Sequence, residues 1–415
     1  MHKILKQINW IVAEFIFKAL TGLIIGFAII KQLGPEKYGI YAYVISAITI
    51  IQVVTRFGME GVITKYIVEN ENQKKELMTT AIMMRFAISI IVILIINIYV
   101  SLNIVNLEEK RVISLASLLL MISIFDVVEQ YYQALERNEI TIKAKLIVGM
   151  IGASMRIFGV LEDWEPFGYI AILVTENILL AMAYILLLKK EELIDVDQIK
   201  FTLCIDLIKK SFPMMVASLI GVLYLRVDQL ILHKLGTNIE MGNYAAAVKV
   251  SEVFFIIPTI IITLGYPRLI AKRNNEEEYE KLLQKLLRIG TACATTILVL
   301  SIIFSEMILK IIVGEQYGSI LTPLNILLFG NIFVYMGVIG SRWYLIEEIY
   351  WRVVIRGVVA IITNISMNIL LYPKFGIIGM AAASVVTYAV SGLLFDAIEK
   401  RTRKLFNMKI KSIIL

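Results

Sequence analysis

The chain is written in long apolar runs separated by short polar ones. Runs of about 20 hydrophobic residues recur from end to end, each long enough to cross roughly 30 Å of hydrocarbon at about 1.5 Å per residue. Charged residues, proline and glycine punctuate them. Taking the breaks as boundaries predicts twelve helices, near residues 10–30, 39–55, 77–100, 112–133, 141–161, 168–188, 212–233, 243–265, 288–305, 322–341, 352–372 and 377–397. A lipid-embedded segment must satisfy its backbone internally, so the pattern predicts an all-α multi-pass membrane protein. The longest connections, 189–211 and 266–287, leave no room for a soluble domain.

Composition agrees. Of 415 residues 59% are hydrophobic and 18% charged, against about half and a quarter in soluble domains. The first run carries Glu14 and Lys18 and is followed by no small-residue cleavage site. It reads as a retained span rather than a signal peptide. With the N-terminus inside, the inner segments hold 28 lysines and arginines and the outer ones 7, the remaining 6 of 41 lying within spans. That bias is the positive-inside pattern, so the net charge of +7 is topological and nucleic acid is not expected as a partner. Both termini are expected in the cytoplasm and the protein in the cytoplasmic (inner) membrane. Cys204 and Cys293 suggest neither a disulfide framework nor a metal site.

One string is nearly said twice. Leu33-Gly34 and Gly39-Ile40-Tyr41-Ala42 align with Leu235-Gly236 and Gly242-Asn243-Tyr244-Ala245, at offsets of 202 and 203. Each copy joins the first two helices of a six-helix half, and both halves begin inside. The expected architecture is two six-helix bundles related by an axis along the membrane normal, a layout used by transporters. The divisions are 1–190, a cytoplasmic linker at 191–211, and 212–415 ending in a basic cytoplasmic tail.

The stretch LGPEKYGIYAYVISAITIIQVVTRFGMEGVITKYI resembles the opening of Wzx-type polysaccharide transporters, within the multidrug/oligosaccharidyl-lipid/polysaccharide flippase superfamily. LYLRVDQLILHKLGTNIEMGNYAAAVKVSEVFFIIPTIIITLGYPRLI, at 223–270, is similar to the start of that family's second half, including the R-x-D-Q and the isolated proline. The resemblance implies a carrier that turns an undecaprenyl-pyrophosphate-linked oligosaccharide from the inner to the outer leaflet. Its partners would be that lipid-linked cargo, membrane lipids, and the polymerase and chain-length proteins of polysaccharide assembly. An ion-coupled multidrug antiporter of the same superfamily is the alternative.

Many charges fall inside apolar runs, among them Glu14, Lys18, Arg85, Asp126, Glu129, Arg156, Glu176, Arg226, Asp228, Lys249 and Glu252. A mid-membrane charge costs roughly 2.5–3.5 kcal/mol on insertion scales and normally faces a bundle interior or wet cavity. Glu14 with Lys18, and Lys249 with Glu252, have spacings that allow contact along a helix. Arg226 and Asp228 point to opposite faces. Arg226, Gln229 and His233 make one stripe, a candidate lumen face, with Asp228 turned to a neighbouring helix.

The cations Lys18, Arg85, Arg156, Arg226 and Lys249 suit an anionic pyrophosphate, Lys18 and Arg85 on the inner side and the other three on the outer. Asp228 and Glu252 are candidates for ion coupling, and Pro258 for a gating kink. Gly22 and Gly26 form a small-xxx-small step suited to close packing.

The chain lacks a phosphate-binding G-x-x-x-x-G-K-[ST] loop. Asp195-Val196-Asp197 sits in a short loop with no nucleotide-binding fold around it. The two histidines, His2 and His233, are too separated for a metal site or triad. No cofactor is expected, and a transporter is expected rather than an enzyme. A polymerase or ligase would need a larger outer loop, and an inert scaffold would leave the buried charges unexplained.

Overall fold

The computed structural model describes residues 2–70, 73–104, 106–195, 197 and 200–414, and every regular element among them is helical. Val196 of the D-x-D string and residues 198–199 of the expected linker lie outside them. Contacts divide the chain into two compact units. The first is the chain to Leu33 together with Ile40–Val222; the second is Gly34–Gly39 together with Leu223–Leu415.

The first unit holds α1 (His2–Arg56), apart from its short Gly34–Gly39 stretch, α2 (Met59–Glu69), α3 (Lys74–Asn103), α4 (Leu107–Ile122) and α5 (Val127–Ala134). It also holds α6 (Asn138–Leu161), α7 (Pro166–Lys190) and the start of α8 (Phe201–Leu235). The second holds the rest of α8, α9 (Asn238–Glu252), α10 (Ile256–Ala271), α11 (Glu276–Ile303), α12 (Ser305–Met307), α13 (Leu321–Ile346), α14 (Tyr350–Gly392) and α15 (Arg403–Ile414).

Among the described residues, ten segments are long and apolar enough to cross a membrane. Two of them, Asn9–Glu69 and Trp351–Ala397, each contain two of the expected helices. The separating breaks are glycines with positive φ, Gly34 at 70° and Gly376 at 56°, a region closed to most side chains. Ten segments therefore carry the twelve expected helices. Starts follow local chemistry: Asn106 caps α4 by accepting from the Glu108 and Glu109 amides at 2.9 and 3.2 Å, and Thr237 with Glu240 forms a capping box on α9.

In the first unit Ile40, Val44 and Ile48 repeat every four residues and pack against Val112, Ala116 and Leu120 at the same spacing, as helical stripes must. Along α3, Ile91, Leu94, Ile95 and Ile98 are exposed. An exposed apolar stripe of that length is suited to lipid. Gly22 is not a packing step, because a side-chain carbon added there would meet nothing within 4 Å.

In the second unit Leu283, Leu287, Ile339 and Trp343 form a core completed by Leu405 and Met408 of α15. The expected basic tail is thus an ordered amphipathic helix. It is pinned by Lys409, fully buried, whose Nζ reaches Asp396 at 2.5 Å and the Gly392 carbonyl at 2.6 Å. Tyr344 also donates to Asp396.

The repeated strings meet each other inside the second unit. A Cβ on Gly39 would lie 2.0 Å from the Asn238 carbonyl oxygen, and one on Gly242 would lie 1.7 Å from that of Pro35. Pro35 aligns with Asn238 and Gly39 with Gly242, so the contact is reciprocal.

Pro258 lies in the span Asn238–Ala271, which is irregular beside it. It is buried in the first turn of α10, and the irregularity precedes it as a 3₁₀ turn at Val253–Phe255. Proline is tolerated there because first-turn amides lack helical partners, while its ring disfavours an α-helical carbonyl four residues back. That residue is Phe254, whose carbonyl accepts the Tyr335 hydroxyl at 2.6 Å. Tyr335→Phe is expected to destabilise the chain by about 1–3 kcal/mol through the unmatched carbonyl, read as a lower midpoint in unfolding of the purified protein.

Candidate functional site

Most of the charges singled out in the sequence gather at two places, one in each unit. In the first unit a cavity of about 240 Å³ is walled by Glu14, Lys18, Lys145, Arg156, Glu176 and Asn177, among others. Its charges form chains. Lys18 Nζ donates to Glu14 Oε1 at 2.6 Å, the contact expected from their spacing. Lys145 Nζ bridges the same Glu14 oxygen at 2.9 Å and Glu129 Oε2 at 2.8 Å. The Tyr184 hydroxyl donates to the other Glu129 oxygen at 2.8 Å. Arg156 pairs with Glu176, whose carboxylate lies where a side chain on Gly152 would stand.

Three cations and two carboxylates thus line the cavity, and Glu129 behind Lys145 supplies the third negative charge. The Lys18 side chain is 63% exposed, whereas those of Lys145 and Arg156 are 16% and 20% exposed. Such a wall offers charge-assisted donors to an incoming anion at the cost of loosening internal pairs.

Arg85 does not line this cavity. It is 1% exposed, and all three guanidinium nitrogens lack hydrogen-bond partners among the described residues.

In the second unit Arg226 grips Glu252 through its two terminal nitrogens, Nη1 and Nη2, at 2.9 and 3.1 Å. Glu252 therefore does not pair with Lys249, as their spacing allowed. The planar guanidinium matches a carboxylate at two points where an ammonium offers one. Lys249 stands close to both charges, without a hydrogen bond among the described residues. Asp228 is 5% exposed and does turn to neighbouring helices. It accepts from the Tyr244 hydroxyl on α9, from Ser384 on α14 at 3.3 Å, and from the Gln229 amide at 2.8 Å. This acid is sealed among neutral donors, while Arg226 and Glu252 keep side-chain exposures of 28% and 19%.

Lys145 and Tyr184 carry no local signal, because their partners are 16 and 55 residues away in sequence. The Lys409–Asp396 pair was missed, although Leu405, Met408, Lys409 and Ser412 follow a helical stripe that could have flagged the lysine.

Residues 31–322 match a family described as polysaccharide biosynthesis protein. A 193-residue stretch is 22% identical to the capsular polysaccharide biosynthesis protein CapF of Staphylococcus aureus, covering 46% of this chain and 49% of that one. The chain spans about half the length of this curated relative.

Among solved structures, the lipid II flippase MurJ in an inward closed conformation superposes with a TM-score of 0.74 at 15% identity, over 98% of this chain and 91% of that one. An inward-facing MATE multidrug resistance transporter of the MOP superfamily gives 0.67 at 13% identity, over 96% and 94%. At such identities the likeness is one of fold.

Proposed function

The chain belongs to the polysaccharide biosynthesis protein family, and from that premise we propose that it is a membrane flippase for a lipid-linked oligosaccharide. The cargo is an undecaprenyl-pyrophosphate-linked repeat unit of O-antigen, capsule or exopolysaccharide. It passes from inner to outer leaflet of the cytoplasmic membrane by alternating access, with both termini cytoplasmic. The observation that supports this reading is the cation-bearing cavity of the first unit, where Lys18, Lys145 and Arg156 come from helices long and apolar enough to cross a membrane.

A pyrophosphate competes with carboxylates for such groups through short charge-assisted bonds. Arg226 and Lys249 serve the same purpose in the second unit, Arg226 exchanging Glu252 for the headgroup. Asp228 and Glu252 are the proposed ion-coupling acids. The Val253–Phe255 turn ahead of Pro258 is the proposed bending point. Polymerase and chain-length proteins are the proposed downstream partners.

The test is reconstitution in vesicles with the lipid-linked oligosaccharide, following glycan exposure on the opposite face. Arg156→Gln and Arg226→Gln are each expected to slow the initial rate at least tenfold, equivalent to about 1.4 kcal/mol, with unchanged membrane levels. Full rates in both variants overturn the assignment. Ion-driven uptake of cationic drugs without glycan exposure establishes the antiporter alternative instead.

A further inference from the structure

Arg85 is a buried charge without an answering group. Its guanidinium is protonated throughout the ordinary pH range, it is 1% exposed, and none of its three nitrogens is hydrogen-bonded among the described residues. Burying an ion costs several kcal/mol even after relaxation, and an ungripped cation recovers little of that. Ser89, one turn further along α3, donates to the Leu120 carbonyl at 3.1 Å. The neighbouring turn of α3 is thus placed beside the 3₁₀ turn Ser123–Asp126. The charges acting on Arg85 are those of Asp126, Arg56, Glu60 and Glu129.

The carboxylate that would answer it is held elsewhere. Asp126 Oδ2 accepts from Arg56 Nη2 at 2.7 Å, at a more exposed position. Arg56 has a second acid one turn on, Glu60, at 3.7 Å. Asp126 closes a turn that interrupts an otherwise continuous span between α4 and α5. A mid-helix 3₁₀ stretch often marks a hinge. The Leu120 carbonyl at this turn receives two hydroxyls, Ser89 at 3.1 Å and Ser123 at 3.0 Å, bonds that can be remade as the helix bends.

We propose that Asp126 is a shared carboxylate, held by Arg56 in this conformation and by Arg85 in a second one, with Ser123–Asp126 as the hinge between them. In the second conformation Arg56 falls back on Glu60, so each arginine has an acid and the buried cation is matched. The exchange reaches the cavity through α5. Glu129, three residues beyond Asp126, holds Lys145, which holds Glu14, so a rotation of α5 rearranges the cationic wall. Arg85 is then a positioning residue that never touches cargo. Only this last link to transport rests on the proposed function; the exchange itself needs no cargo.

The test uses the full chain in lipid vesicles, with Cys204 and Cys293 replaced by serine and spin labels at Leu118→Cys and Gln133→Cys, which straddle the turn. Arg56→Gln is expected to move the major population to a second interlabel distance, and adding Arg85→Gln to return it to the first. Arg56→Lys, which keeps the charge but loses the fork, gives a partial shift in the same direction and serves if Arg56→Gln does not assemble. Wild-type distances in both Arg56 variants, or a shift that survives Arg85→Gln, overturn the exchange.

In the glycan assay Arg85→Gln and Asp126→Asn are each expected to slow transport at least tenfold, and the double variant no further. Additive losses overturn the link to transport. A chain that shows the distance shift but flips no glycan leaves the exchange standing and overturns the cargo reading.

Discussion

Replacing Lys409 with methionine is expected to destabilise the second unit by about 3–5 kcal/mol, because it leaves Asp396 buried without its cation. Both side chains are fully buried and separated by 2.5 Å. Asp396→Leu is expected to cost as much, since it strands the ammonium with only the Gly392 carbonyl. The double variant Lys409→Met/Asp396→Leu is expected to recover most of the loss, because two apolar groups of similar size leave no charge unmatched. Unfolding midpoints of the purified protein in a denaturing detergent titration provide the measurement.

Amide exchange locates the damage. In either single variant the backbone of Arg403–Ile414 loses protection, because the pair joins α15 to the 3₁₀ turn Leu394–Ala397 that follows α14. Unchanged protection in both single variants would show that apolar packing of Leu405 and Met408 anchors the helix by itself.

Gly242→Ala and Gly39→Ala are expected to cost about 1–3 kcal/mol each, as overpacking of a close contact does. The obstructing atoms are backbone carbonyls, at 1.7 and 2.0 Å from the added carbons, so no flexible side chain can yield. The two changes open one gap, and the double variant is expected to cost less than the sum of the singles. Gly221→Ala is the contrast. It lies inside α8 with nothing within 4 Å of its added carbon, and alanine's helix preference is expected to stabilise it by about 0.5–1 kcal/mol. Destabilisation by Gly221→Ala equal to that of Gly242→Ala would remove the steric explanation.

Much of the fold was legible because lipid imposes a strong rule on sequence. Helix existence followed from apolar runs, and the breaks at Gly34 and Gly376 fell where the limits 10–30 and 39–55, and 352–372 and 377–397, had separated spans. Extents were less legible where polar helix continues beyond the apolar stretch. α11 begins at Glu276 and α8 at Phe201, within segments read as connections. Amphipathic or charged helix outside the hydrocarbon has no long apolar run to announce it. The same reason hid α15 inside a basic tail.

At the candidate site, the residue types were legible and their partners were not. Spacing along one helix identified Glu14 with Lys18, because four residues bring side chains to one face. It offered Lys249 to Glu252 on the same ground, and there Arg226, from another helix, made the better two-point contact. Arg85 was recognised as a membrane-depth cation. Its full burial depends on how α3 packs beside the turn at Ser123–Asp126, which no local pattern encodes.

The sequence by itself determined that this chain is helical and multi-pass, where its spans lie, and that its halves share a repeat. Those properties follow from local chemistry: apolar length, turn-forming glycines and the placement of basic residues. Only the tertiary structure decided that the repeated strings touch glycine to carbonyl. It alone showed that Asp126 sides with Arg56 rather than Arg85, and that Lys409 is buried on Asp396. Those depend on contacts between residues far apart in the chain, where a few tenths of an ångström and one competing carboxylate choose the partner.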